Sequence, residues 1–425
     1  MSYINSENGI SYSFIKTSRF KTTLISVGFY LPLSHDASAN ALALRLMKSG
    51  TADLPDTYSF NRRLASLYGA KVSSWVAKLG DCQELRLGIT VNDDKYSLNN
   101  EPTVQNACDL LLSMLFGRIS GETDYPAEAV SREKRLQCES IAGKINDKRT
   151  YARNRLEEIM CENEPFGLSA EGSVAETETL TVEDINRAIK RMMKTAFISV
   201  QVIGDREPED FYKRFNDCIT KVGREFSKIP AETVCSAGEI KRVTETMPVK
   251  QGKLVLGLRS GTAGNDRETV AAWIMGDIFG GGPYSKLFCN VREKMSLCYY
   301  CSARSVRKKG LIIIDSGVED TNIEAAETAI LAQLEDMKCG RFTEKELNSS
   351  KLAMCDSINS VESDQGSLMH WYAARALEEK PATPAEITAL IKGITAEDIK
   401  KAAALFTLDT VYTLRPDGTQ KEENI

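Results

Sequence analysis

Histidine is scarce in this chain, with two in 425 residues, His35 and His370. That bears on zinc chemistry, because zinc sites are built from about four His, Cys or carboxylate ligands. His35 lies in the loop segment LSHDAS and His370 in SLMHWYAARAL, and neither has a second His or Cys at ligand spacing. They read as a surface-loop and a helix-face side chain. A basic excess is also missing: 54 Lys and Arg against 59 Asp and Glu leave a net charge of −5. This argues against nucleic acid or an anionic membrane as the main partner. No apolar run approaches the ~18 residues that span a bilayer. The opening stretch MSYINSENGISYSFIK lacks the basic and apolar regions of a secretory leader, so the expected location is cytoplasmic. Nor is there a disulfide framework. The eleven cysteines are odd in number and scattered, as expected of reduced thiols buried as small hydrophobes.

What is present is an ordinary globular composition, 42% apolar and 27% charged, and enough length for two or more domains. It is also a repeat. Thr22–Leu31 reads as a strand followed by a loop and an apolar helix ending at Gly50, and Lys253–Arg259 begins the same succession, ending in Gly280–Gly282. A helix and an antiparallel hairpin follow in each case, with Gly80-Asp81 and Lys308-Lys309-Gly310 at the turns. LTVEDINRA (180–188) and ITAEDIKKA (394–402) are near copies. Thr181 and Thr395 are placed to cap helices, with Asp184 and Asp398 as reciprocal partners. Two homologous α+β halves are expected, 1–225 and 245–425, each a mostly antiparallel sheet with helices packed on one face. Residues 226–244 read as a linker or edge strand.

Residues 279–301, FGGGPYSKLFCNVREKMSLCYYC, admit three chemistries. A phosphate loop would need a second glycine and a Lys-Ser/Thr pair after a strand; here the glycines follow a helix and suit its end, with positive φ and close backbone approach. A redox C-x-x-C belongs at a helix N-terminus, whereas Cys298 and Cys301 begin a strand, where residues three apart point to opposite faces. They read as small strand residues. The third is a pair of donors, Arg292 and Tyr299, whose bland alternative is an exposed helix charge and a hairpin aromatic.

Several pieces together make the chain resemble a family along its whole length: Gly50-Thr51, Leu67-Tyr68-Gly69, EPFGLSAEG (164–172), VIGD (202–205), QGKLVLG (251–257) and FGGGPYSKLFCNVREKMSLCYY. The family is that of the pitrilysin/insulinase zinc peptidases, in the processing-peptidase branch. The detailed pattern resembles the subgroup associated with modification of translation elongation factor P. The resemblance implies the LuxS/metallohydrolase-like fold and an H-x-x-E-H zinc motif on the first helix. Anchored on Gly50-Thr51, that motif falls on Ala41, Leu44 and Arg45; the third ligand falls on Ser140, beside Glu139, with Glu133 in the supporting acidic position. Neither histidine is present, and Arg45 would repel a dication, so no metal is expected on this chain.

The resemblance further implies that Arg292 and Tyr299 close over a peptide held at a zinc site, Tyr299 donating to the developing oxyanion. It places Ser73 and Ser74, on the edge strand Ala70–Lys78, and Gly281 and Gly282 among substrate-binding positions, the strand by β-augmentation. The expected role is a non-catalytic subunit of a heterodimeric bacterial metallopeptidase. Its partner would be a homologous subunit with an intact zinc motif, which carries the zinc. The isolated chain would form a possible homodimer, and the substrate would be a peptide or unfolded polypeptide. The alternatives are a structural scaffold or peptide-binding protein of the same fold, or an active zinc metalloendopeptidase with an unaligned metal site.

Overall fold

A computed structural model describes residues 2–6, 8–120, 124–263 and 266–418. The first elements in chain order are β1 (Ser2–Ser6), β2 (Ile10–Lys16), β3 (Thr22–Pro32), α1 (Ala37–Ser49), α2 (Thr57–Ser66), β4 (Lys71–Leu79) and β5 (Cys82–Asn92). Then come α3 (Thr103–Ser120), α4 (Ala127–Gly143), α5 (Lys148–Met160), α6 (Val174–Thr179), α7 (Val182–Thr195), β6 (Phe197–Gly204) and α8 (Phe211–Thr220). After a stretch without helix or strand follow β7 (Lys241–Met247), β8 (Gly252–Arg259), α9 (Asp266–Gly280), a π-helix (Leu287–Lys294), β9 (Cys298–Val306) and β10 (Leu311–Val318). The last are α10 (Ile323–Lys338), α11 (Glu344–Ser360), α12 (Gln365–Ala373), α13 (Pro384–Gly393), α14 (Ala396–Leu405) and β11 (Thr407–Pro416).

Two sheets form, ordered β1-β2-β6-β3-β5-β4 and β7-β11-β8-β10-β9. Without β1 the two orders are the same, and so are the pairings. β2/β6 and β7/β11 are parallel, and every other pair is antiparallel. The repeat seen in the sequence is thus a repeat of topology, and the fold is α+β with mostly antiparallel sheets. Both copied helix starts carry the full capping box: Thr181 with Asp184 on α7, and Thr395 with Asp398 on α14. Each such cap contributes about 1 kcal/mol.

The compact units are not simple halves of the chain. One comprises Met1–Ala142, Leu168–Ala231 and Glu362–Pro381; the other comprises Gly143–Gly167, Glu232–Val361 and Ala382–Ile425. Helix α12 therefore belongs to the first unit and α5 to the second. Within the first unit, Val27, Phe29, Leu85 and Leu87 pack with Leu42, Leu46, Leu111 and Met192 of the helical layer. The opposite sheet face is polar. Arg86, fully buried, donates to Glu84 at 2.8 Å and to the Tyr30 hydroxyl at 2.5 Å. Tyr30 in turn donates to the Ala373 carbonyl of α12 at 2.8 Å.

Within the second unit, α5 offers Ala152, Leu156 and Met160, one turn apart, to Val255, Ile313 and Tyr412. α5 packs closely over β8 here: a Cβ at Gly257 would come within 2.4 Å of the Met160 sulfur. Helices α9 and α10 cover the other face. A buried charge cluster anchors the segment after α5. Glu164 meets Arg259 at 2.6 Å and Lys309 at 2.9 Å, and Arg259 also meets Asp409 at 2.9 Å. Glu164, the first residue of EPFGLSAEG, is thus a structural counter-ion.

Candidate functional site

The positions aligned with a zinc motif lie on α1, whose alanines and leucines suit a buried helix. Ala41 and Leu44 are buried in it. The Arg45 Nε lies 3.4 Å from the Glu133 carboxylate of α4, as an ion pair rather than an aligned hydrogen bond. Glu133 also meets Arg132 at 3.3 Å. Ser140 and Glu139 are exposed, and Glu139 pairs with Arg135 at 2.8 Å. A methyl, an isobutyl, a guanidinium and an exposed hydroxyl do not fit zinc, which needs deprotonated N, S or O ligands. Among the described residues no group of three or more His, Cys, Asp or Glu side chains is placed to hold a metal ion. His35 is exposed and meets Glu176 at 3.1 Å. His370 packs against Trp75 with the ring centroids 4.6 Å apart and the planes tilted by 58°, and burial lowers its pKa.

In the second unit Arg292 and Tyr299 come together. Both line an open depression of about 430 Å³, with Leu297, Cys298, Glu319 and Asn322. Arg292 sits on the π-helix, a form that recurs at functional sites. Its guanidinium lies 4.5 Å from the centre of the Phe288 ring and 3.5 Å from Glu293. The chain leaves this helix through Ser296, a non-glycine residue at φ 52°. Tyr299 is 60% exposed, and its hydroxyl donates to Glu319 at 3.1 Å. That hydrogen bond, then the nearby carboxylate charge, raises the phenol's pKa; the group stays protonated and remains a donor.

A β-bulge aims Tyr299 outward. On β10, Gly317 pairs with Tyr300 and Val318 with Cys298, leaving Tyr299 without a partner. This overturns the expected placement of the two cysteines. Cys301 pairs with Ser316 and Cys298 with Val318, two positions apart on β10, so both thiols lie on one face, buried. Simple alternation fails because the bulge inserts a residue.

The glycines differ too. None of Gly280, Gly281 and Gly282 has positive φ. Close approach alone accounts for Gly280, where a Cβ would come within 2.6 Å of the Ala303 nitrogen. Neither Gly281 nor Gly282 lines the depression. Ser73 and Ser74 lie in the first unit on β4, which pairs only with β5 among the described strands and is a sheet edge. Ser73 is exposed and Ser74 half-buried. Sequence reasoning missed Glu319, which holds Tyr299, and the Arg45–Glu133 pair. Nothing local signals Glu319, twenty residues on from Tyr299. The Arg45–Glu133 pair was within reach, since both positions were already aligned with the zinc motif. No helix among the described residues is long and apolar enough to cross a membrane.

Residues 179–354 match the model of the peptidase M16 inactive domain. Over 425 residues the chain is 28% identical to the probable inactive metalloprotease YmfF of Bacillus subtilis (strain 168), covering 99% of each chain. In structure it is similar to a conserved protein from Enterococcus faecalis V583, with a TM-score of 0.87 at 23% identity over 99% of this chain and 100% of that one. It is also similar to a peptidase M16 inactive domain from Pseudomonas fluorescens, with a TM-score of 0.72 at 16% identity over 99% and 98%. At these identities the two structures bear on the fold.

Proposed function

We propose that this chain, which matches the peptidase M16 inactive domain over residues 179–354, is an inactive, peptidase-like member of that family and the non-catalytic subunit of a heterodimeric metallopeptidase. It lends Arg292 and Tyr299 to a homologous partner that carries the zinc motif. The observation that carries this reading is an asymmetry. The aligned metal positions are closed by Ala41, Leu44 and the Arg45–Glu133 ion pair, while Arg292 and Tyr299 remain together at an open surface. Arg292 would grip a peptide carbonyl. Tyr299 would exchange its bond to Glu319 for one to the substrate oxygen as charge develops there. The β4 edge, with Ser73 and Ser74, would take an extended peptide by strand addition. Zinc and its chemistry reside in the partner, and no step runs through a metal on this chain.

A scaffold reading has one observation in its favour: the Tyr299 hydroxyl already has an acceptor in Glu319. Mixing decides between them. Purified alone, this chain cleaves no peptide and holds no stoichiometric zinc; with a homologue bearing H-x-x-E-H it forms an assembly more active than that homologue alone. An assembly whose activity equals the homologue's own leaves the scaffold reading.

A further inference from the structure

The two cysteines that the bulge turns to one face of β9 have no part in the function proposed above. Both are buried, Cys298 at 8% and Cys301 at 5% exposure, yet Cys298 also borders the depression that holds Arg292 and Tyr299. The register brings them into proximity. Their partners on β10, Val318 and Ser316, are two residues apart on the same side of the strand. A hydrogen bond from the Cys301 thiol lowers the pKa of Cys298, against the opposing effect of burial, and the Arg292 charge adds to the lowering. The same bond, then burial, raises Cys301. Elsewhere burial simply pushes Cys108 and Cys161 up to about 12, as for inert core thiols. Cys298 is thus the member that borders the depression and loses its proton more readily, and Cys301 holds its proton more firmly.

We propose that Cys298 and Cys301 form a reversible dithiol–disulfide site, with Cys298 as the attacking sulfur, Cys301 as the resolving sulfur, and small-molecule disulfides as the oxidant. The Cys298 thiolate attacks one sulfur of a disulfide such as oxidised glutathione. The S–S bond breaks, and the departing thiolate takes up the proton that Cys298 lost. Cys301 then gives up its proton and attacks the Cys298 sulfur of the mixed disulfide, expelling the second thiol. Two protein thiols are oxidised and one small disulfide is reduced to two thiols. The closed ring contains Tyr299 and Tyr300, so oxidation tightens the bulge that presents Tyr299. The thiol chemistry holds whether or not Tyr299 acts on a peptide.

Full-length reduced protein, incubated with excess oxidised glutathione, alkylated after denaturation and digested with trypsin, tests this. Cleavage after Lys294 and Arg304 puts both cysteines on one peptide, MSLCYYCSAR. That peptide is expected to lose two hydrogens, take up no alkylating agent and recover both thiols with dithiothreitol. In Cys301→Ser, glutathione should stay on Cys298. Full alkylation of both cysteines in the wild type after oxidation overturns the proposal. So does glutathione persisting on wild-type Cys298, because Cys301 then fails to resolve it. Both decisive readouts come from the wild-type chain, so a poorly folding variant does not obscure them.

Discussion

The Arg45 guanidinium of α1 stands 3.4 Å from the Glu133 carboxylate of α4, an ion pair that joins the two helices. Glu133 is 9% exposed, so its charge needs a partner. Arg45→Ala should destabilise the first unit by roughly 1 kcal/mol, since Arg45 is partly exposed and Arg132 still pairs with Glu133. Urea unfolding followed by circular dichroism checks this; an unchanged midpoint would show the pair to be idle.

Glu164 should matter more. Arg259, Lys309 and Glu164 are all nearly inaccessible, so Glu164→Gln leaves two buried cations with Asp409 as their remaining acid in the cluster. The expected cost is roughly 3 kcal/mol. Glu139→Gln, at an exposed pair, should stay within about 0.5 kcal/mol. The two variants in one denaturation series separate a structural acid from a surface one.

Gly172 and Gly69 both have positive φ, 74° and 75°. A Cβ on Gly69 meets nothing within 4 Å, whereas one on Gly172 would run into Ser38 of α1. Gly69→Ala should cost about 1 kcal/mol for the left-handed backbone alone. Gly172→Ala should cost at least about 2 kcal/mol, because the collision adds to it. Equal thermal shifts for the two would refute the steric argument.

The Asp398 carboxyl is held at about 2, below its ordinary 3.8, mainly by the Thr395 backbone N–H, with the Thr395 hydroxyl and Arg267 assisting. The depressed acid stabilises the folded state above pH 3.8, and that stability is lost as pH falls toward about 2. The stability difference between wild type and Asp398→Asn should therefore be constant above this window and shrink through it. A difference that grows on acidification would reverse the sign.

Much of this architecture was legible in the sequence because it rests on local patterns. The copied Thr-x-x-Asp starts are capping boxes, and Gly80 and Gly310 take positive φ at the hairpin turns. The edge strand expected at Ala70–Lys78 came from the family resemblance, and β4 (Lys71–Leu79) is a sheet edge. The scarcity of histidine was read from residue identity alone. What was not legible depends on partners distant in the chain. The bulge at Tyr299 is a matter of register with β10, so alternation along β9 put Cys298 and Cys301 on the wrong faces. Glycine's freedom did not reveal that Gly280 serves close packing rather than positive φ. The membership of α5 and α12 in opposite units, and the role of Glu164, arise only once the sheets have formed.

The central claim is that Tyr299 works at a site this chain cannot complete alone. The most direct measurement is peptide cleavage by the assembly with a zinc-motif homologue, comparing wild type with Tyr299→Phe and Arg292→Ala. Tyr299→Phe should lower kcat about 100-fold with assembly unchanged, the loss of one oxyanion donor. Arg292→Ala should chiefly raise KM. A Tyr299→Phe assembly that forms normally and cleaves at the wild-type rate would contradict the account.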